Sequence, residues 1–142
     1  MQRTARVALG LLPTLWSAIA AGQTPTASPF DGKWVVVLSC PKSSDGALPF
    51  TWQFAAEVIG SVLHGEHGDA GQPGSMALDG RIGPDGSAHF QAQRMTGQSA
   101  YNINHAARGV PFRYEVTAHF DTARGTGSWV TSRTCNFSFT RQ

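Results

Sequence analysis

The sequence predicts an all-β domain, an antiparallel up-and-down meander of about eight strands, with a closed β-barrel favoured over a sandwich. Three observations carry this. Apolar and polar side chains alternate with period two along most of the chain beyond Gly32. No helix-length window there keeps a 3.6-residue period. The two cysteines, Cys40 and Cys135, fall at the end of the first predicted strand and the start of the last.

The first segment does not belong to that pattern. Met1 to Arg6 carries two arginines and no acid, and Val7 to Ala20 is an apolar run interrupted by Pro13 and closing with Ala18-Ile19-Ala20. A basic segment, a short apolar segment and a small-x-small site are the parts of a secretory signal, with cleavage expected after Ala20. The mature protein is then secreted or periplasmic. A membrane anchor needs about 20 apolar residues, more than this run holds. Arg3 and Arg6 are not adjacent, so the twin-arginine route is not indicated, and no cysteine follows the cut to take a lipid. Ala21 to Pro29, with two prolines, reads as an extended, mobile tail. Residues 30–142 read as one domain.

Strand by strand, Trp34, Val36, Leu38 and Cys40 share one face, and Phe50, Trp52, Phe54, Ala56 and Val58 repeat the pattern. A turn at Ile59-Gly60-Ser61 leads to a third strand, Val62 to Gly68. A fourth presents Met76, Leu78, Gly80 and Ile82 on one side. Gly83-Pro84-Asp85-Gly86 is the clearest turn, because proline presets φ for its position. The fifth strand, Ser87 to Met95, turns Ala88, Phe90 and Ala92 inward and His89, Gln91 and Gln93 outward. The stretch Ser99 to Val110 reads as a long loop from its Asn and Gly content. In the sixth strand, Phe112 to Asp121, Phe112, Tyr114, Val116, Ala118 and Phe120 alternate with polar residues. After a turn at Thr122 to Gly125, two last strands are expected over Gly127 to Arg133 and Thr134 to Arg141.

Charge and cysteine content exclude several classes of function. The chain has 11 basic and 9 acidic side chains, but Arg3 and Arg6 leave with the signal, so the mature charge is near zero. No basic stripe remains for nucleic acid. Two cysteines in an oxidising compartment are expected to pair. A disulfide between Cys40 and Cys135 requires Cα atoms within about 7 Å, so the first strand meets the last, as closure of a barrel would arrange. A sandwich could also bring them together. Insertion of the mature barrel in a membrane would need an apolar outer band, whereas Lys33, Gln53, Glu57, Gln91, Arg113, Glu115 and His119 point outward.

Residues with chemical potential are few. His64-Gly65-Glu66-His67-Gly68-Asp69 is the densest polar cluster. His64 and Glu66 share a strand face and Asp69 could add a third ligand, but His67 points the other way, so no metal site is assigned. No nucleophile elbow and no phosphate-cradling glycine loop occur, and cysteines held in a disulfide cannot attack. No catalytic residue and no cofactor are assigned, and an enzyme is not expected.

The run Phe30-Asp31-Gly32-Lys33-Trp34 resembles the Gly-x-Trp opening of calycin-type barrels, the lipocalin and avidin group. The resemblance implies a small barrel able to hold a ligand inside. Val35 to Leu38 replace the hydrogen-bonding residues of avidins, so biotin is not implied. The layout is also similar to bacterial periplasmic metalloprotease inhibitors, in which an extended tail precedes Gly-x-Trp; that family closes a short loop with its disulfide, whereas Cys40 and Cys135 span nearly the whole domain.

The expected function is an exported binding module for a small apolar or amphipathic ligand, with Trp34, Trp52, Phe54, Phe90 and Tyr114 as candidate lining of the barrel interior. The alternative is a periplasmic protease inhibitor or interaction domain using the tail or the loop 96–111, with an extracytoplasmic protein as its partner.

Overall fold

The structure, a computed structural model, describes residues 27–142. The expected secretory signal over 1–20 and most of the tail over 21–29 lie outside the described residues. Eight strands follow in order: β1 (Gly32–Cys40), β2 (Phe50–Ile59), β3 (Val62–His67), β4 (Met76–Ile82), β5 (Ser87–Met95), β6 (Pro111–Phe120), β7 (Arg124–Val130) and β8 (Thr134–Arg141). Each pairs antiparallel with the next, and β1 pairs with β8 to close the barrel. The expected all-β meander and its closure are both borne out.

Closure follows from the phase of the alternation. Trp34 lies opposite Arg141, Val36 opposite Phe139 and Leu38 opposite Phe137. Cys40 and Cys135 continue that register, and they are bonded with their Cα atoms 4.3 Å apart. The disulfide fits an oxidising, extracytoplasmic compartment. The buried core runs through all eight strands, from Trp34, Val36 and Leu38 to Cys135, Phe137 and Phe139.

Two segments differ from expectation by more than a residue. β7 begins at Arg124 and ends at Val130, where the sequence suggested Gly127 to Arg133. The Asp121 carboxylate is the reason: it accepts hydrogen bonds from the N–H groups of Ala123 (2.8 Å) and Arg124 (2.7 Å), which tightens the turn and starts the strand earlier. The loop expected over Ser99 to Val110 contains two short 3-10 turns, Ser99–Tyr101 and Ile103–His105. It is held from within. Asn102 Nδ2 donates to the carbonyls of Gly97 and Ala106, and Val110 N donates to Thr96 Oγ1.

The two ends of the barrel are unlike. One carries the tight turns β2–β3, β4–β5 and β6–β7, and it is plugged. There Phe30 packs edge-on against Phe120, and Trp34 donates its indole N–H to the Phe30 carbonyl at 2.9 Å. Arg141 lies over the Trp34 ring at 5.2 Å and donates to the Asp31 carbonyl. The β2–β3 turn has positive φ at both Gly60 (57°) and Ser61 (69°), the hairpin geometry that suits strand twist. Ser61 is an uncommon residue for it, and Asp31 compensates by accepting from both turn N–H groups, which holds its own carboxyl below the usual range. Inside, missing side chains make room for rings. A Cβ on Gly80 would come within 2.2 Å of the His89 carbonyl oxygen and 2.6 Å of the Phe90 ring.

The other end carries the long connections 41–49, 68–75 and 96–110. Here the barrel wall divides. Pairing of β2 with β3 stops at Ala56 and Gly65, and pairing of β6 with β7 stops at Thr117 and Ser128. Phe50 to Ala55 and Pro111 to Val116 therefore have no ladder partner on those sides. Two flaps result, β3 to β6 and β7 through β8 and β1 to β2, separated by two seams.

Candidate functional site

Aromatic side chains bridge both seams where hydrogen bonds are absent. Trp52 on β2 stacks on His67 of β3, ring centres 4.0 Å apart and planes within 6°. Tyr114 on β6 stacks on Trp129 of β7 at 4.6 Å. Phe50 leans on Trp52 at 4.9 Å, and Phe112 lies over Tyr114 at 6.2 Å while 38% exposed. Alternation puts these rings on the inward phase, and the splaying of the strands leaves several of them partly open to solvent.

Two arginines complete the mouth. Arg133, in the β7–β8 turn, is 6% exposed and donates to the carbonyls of Pro41 (3.1 Å), Leu48 (3.0 Å) and Tyr101 (2.9 Å). It thereby ties three connections together. Asp45 adds a link, accepting from Ser43 Oγ and Asn104 N, which pulls its carboxyl below the usual range. Arg94, on β5, is 7% exposed, and among the described residues no acceptor bonds its guanidinium and its Nε is buried without a partner. Its Cζ sits 5.0 Å from the Phe50 ring centre and 5.1 Å from that of Trp52.

The electrostatics of this pair are one-sided. Arg133 Cζ is also 5.1 Å from the Phe50 ring centre, so the two cations lie within about 10 Å of each other. At an effective dielectric near 20 they repel by about 2 kcal/mol. Burial lowers the pKa of both, yet a guanidinium stays charged in water-accessible conditions. Burial also pushes Tyr114 up, an effect the two cations oppose. A cleft of about 380 Å³ adjoins the mouth between the 68–75 connection and the ends of β4 to β6. Arg94, Met76, Met95, Pro111 and Phe112 line it, as do the charged side chains of Glu66 and Arg113.

The five residues expected to line the interior fall into two groups. Trp34 and Phe90 are buried in the plugged half, where Phe90 touches Phe120 and Phe139 edge-on, each at 5.9 Å. Trp52 and Tyr114 are half-buried at the mouth, and Phe54 sits just beneath, 6.3 Å from His67. Arg94 and Arg133 were not singled out by sequence. Arg94 was accessible to it, since it stands two residues beyond Ala92 on the inward phase of its strand.

The polar cluster of β3 assembles differently from expectation. Asp69 is exposed in the 68–75 connection, and the third group beside His64 and Glu66 is Asp79, its register partner on β4. Asp79 bonds His64 Nδ1 at 2.5 Å, while Glu66 approaches Nε2 at 3.3 Å. The carboxylates occupy opposite edges of one ring, so the three do not converge on a common point. The hydrogen bond to Asp79, above all, raises the His64 pKa. A raised folded-state value makes this stabilisation complete below about pH 6.5, the ordinary value, and lost as pH rises through the raised one. His64→Ala is therefore expected to cost under about 1 kcal/mol at pH 6 and nothing at pH 9. Urea unfolding of both proteins at the two pH values checks this; an equal cost at both would refute it.

Among the described residues no helix is long and apolar enough to cross a membrane. The outward positions Lys33, Gln53, Glu57, Gln91, Arg113 and Glu115 are all exposed and polar. Fold and mouth together define an eight-stranded antiparallel barrel, plugged at one end and aromatic at the other, consistent with calycin-like architecture. No family model matches the chain, and neither the curated proteins nor the solved structures contain a match to it.

Proposed function

We propose that this protein is an exported binding module that holds a small amphipathic ligand at the open mouth of its barrel. The carrying observation is the set of partly exposed rings, Phe50, Trp52, Phe112 and Tyr114, gathered where the wall has no hydrogen-bonded ladder. Apolar surface kept at a mouth is typical of a ligand site. The adjoining cleft is of the size that small-molecule sites have, about 300–1,000 Å³. Export rests on the secretory signal read from residues 1–20.

The test is saturable binding of the neutral fluorophore N-phenyl-1-naphthylamine by the mature protein. Trp52→Ala is expected to weaken it by about tenfold, since a stacking ring at such a site is worth about 0.5–1.5 kcal/mol beyond its buried area. Thermal unfolding of the variant shows whether the barrel has survived. Absence of saturable binding by the wild-type protein, or binding unaltered in a folded Trp52→Ala variant, would refute this site.

A further inference from the structure

We propose that the mouth selects anions, with Arg94 as the seat for the oxyanion head of an amphipathic organic acid whose apolar part lies along the aromatic rings and the adjoining cleft. This rests on the mouth being a ligand site and adds the charge of the ligand.

A buried cation is normally paired or fully hydrogen-bonded, because removal from water is otherwise uncompensated. Arg133 obeys the rule through three carbonyls. Arg94 is buried to nearly the same degree and does not, with no ion pair and no acceptor among the described residues. The Phe50 and Trp52 faces at 5.0 and 5.1 Å give it cation–π contact but no acceptor for its N–H groups. The second guanidinium beside the same Phe50 ring adds positive potential at this point. A planar fork with free donors fits a carboxylate or another planar or tetrahedral oxyanion, and it binds such a group in two-pronged fashion.

The surroundings specify the rest of the ligand. Met76, Met95, Pro111 and Phe112 form an apolar wall of the cleft beside Arg94, with Glu66 and Arg113 also at its lining, so a bare inorganic ion would leave that apolar wall unfilled. An acid with a chain or ring body covers both. Arg133 is committed to the loops and acts on the ligand through its field.

Decanoate and decanol, matched in chain length, separate charge from apolar contact. Titration calorimetry on the mature wild-type protein is expected to show decanoate at least tenfold tighter than decanol, with sodium phosphate at equal concentration giving no saturable heat. Arg94→Met keeps an unbranched apolar stem and removes the cation. It is expected to bring the decanoate-to-decanol preference down to about one, with an unfolding midpoint in urea no lower than wild type. Arg94→Lys, keeping charge but losing the fork, is expected to retain part of the preference. Equal wild-type affinity for the two probes would overturn the anion seat and leave the ligand-binding reading standing. Binding of neither would overturn both. Phosphate binding as tightly as decanoate would overturn the organic-acid assignment. A folded Arg94→Met variant with an unchanged preference would remove Arg94 from the role.

Discussion

Trp34→Ala is expected to destabilise the barrel by about 4 kcal/mol or more, the largest effect of any single substitution in the plugged half. Truncating a buried tryptophan costs about 3–5 kcal/mol in lost transfer energy and cavity. Here further losses add to it. The indole N–H satisfies the Phe30 carbonyl at 2.9 Å, which would remain buried and unpaired. The ring also packs edge-on against Phe120 at 5.3 Å and carries Arg141 on its face. Arg141 fastens Pro29 and Asp31 through their carbonyls, so loosening it frees the segment that leads into β1. Urea unfolding gives the number. Trp34→Phe keeps most of the apolar volume and loses the N–H, so its cost is expected to be less than half that of the alanine variant. A loss below about 2 kcal/mol for Trp34→Ala would mean that the plug does not hold this end shut.

Removing the disulfide by Cys40→Ala with Cys135→Ala is expected to cost about 3–5 kcal/mol. The bond spans 95 positions, and a loop near 100 residues restricts the unfolded chain by about 4.7 kcal/mol in the chain-entropy view. The native barrel loses less, because β1 and β8 still pair from Trp34 with Arg141 to Ser39 with Asn136. The double variant should therefore keep the strand content of the wild type by circular dichroism while its urea midpoint falls. Treatment of the wild type with reductant should lower the midpoint to a similar extent. A midpoint that does not move in either case would show that the cross-link adds nothing to the closure already made by the β1–β8 ladder.

These two sites differ in how far they could be read from sequence. Cys40 and Cys135 fall on the inward phase of the first and last strands, and an oxidised pair forces those strands together. Trp34 was placed inward by the same alternation, but as a candidate ligand contact. Its neighbours in the structure are Phe30, Phe120 and Arg141, drawn from both ends of the barrel domain and from β6. Arg94 stood on the inward phase in plain view. Only its lack of an acceptor makes it notable, and that depends on every residue around it. Asp79 in place of Asp69 beside His64 has the same origin: the expected partner was near in sequence, and the actual one is set by the β3–β4 register.

By itself, then, the sequence determined that the chain forms strands and which side chains of each face inward, and its cysteines favoured a first strand lying beside the last. Period-two alternation is a local property, written into consecutive residues, and one covalent bond brings two distant strands together, while the β1–β8 ladder closes the ring. The tertiary structure alone decided where pairing stops. The seams before Ala56 and Thr117 arise from how far each strand follows its neighbour around a curved wall, a quantity no single strand encodes. Those seams turn part of the inward aromatic set into a mouth and leave Arg94 buried there without a partner.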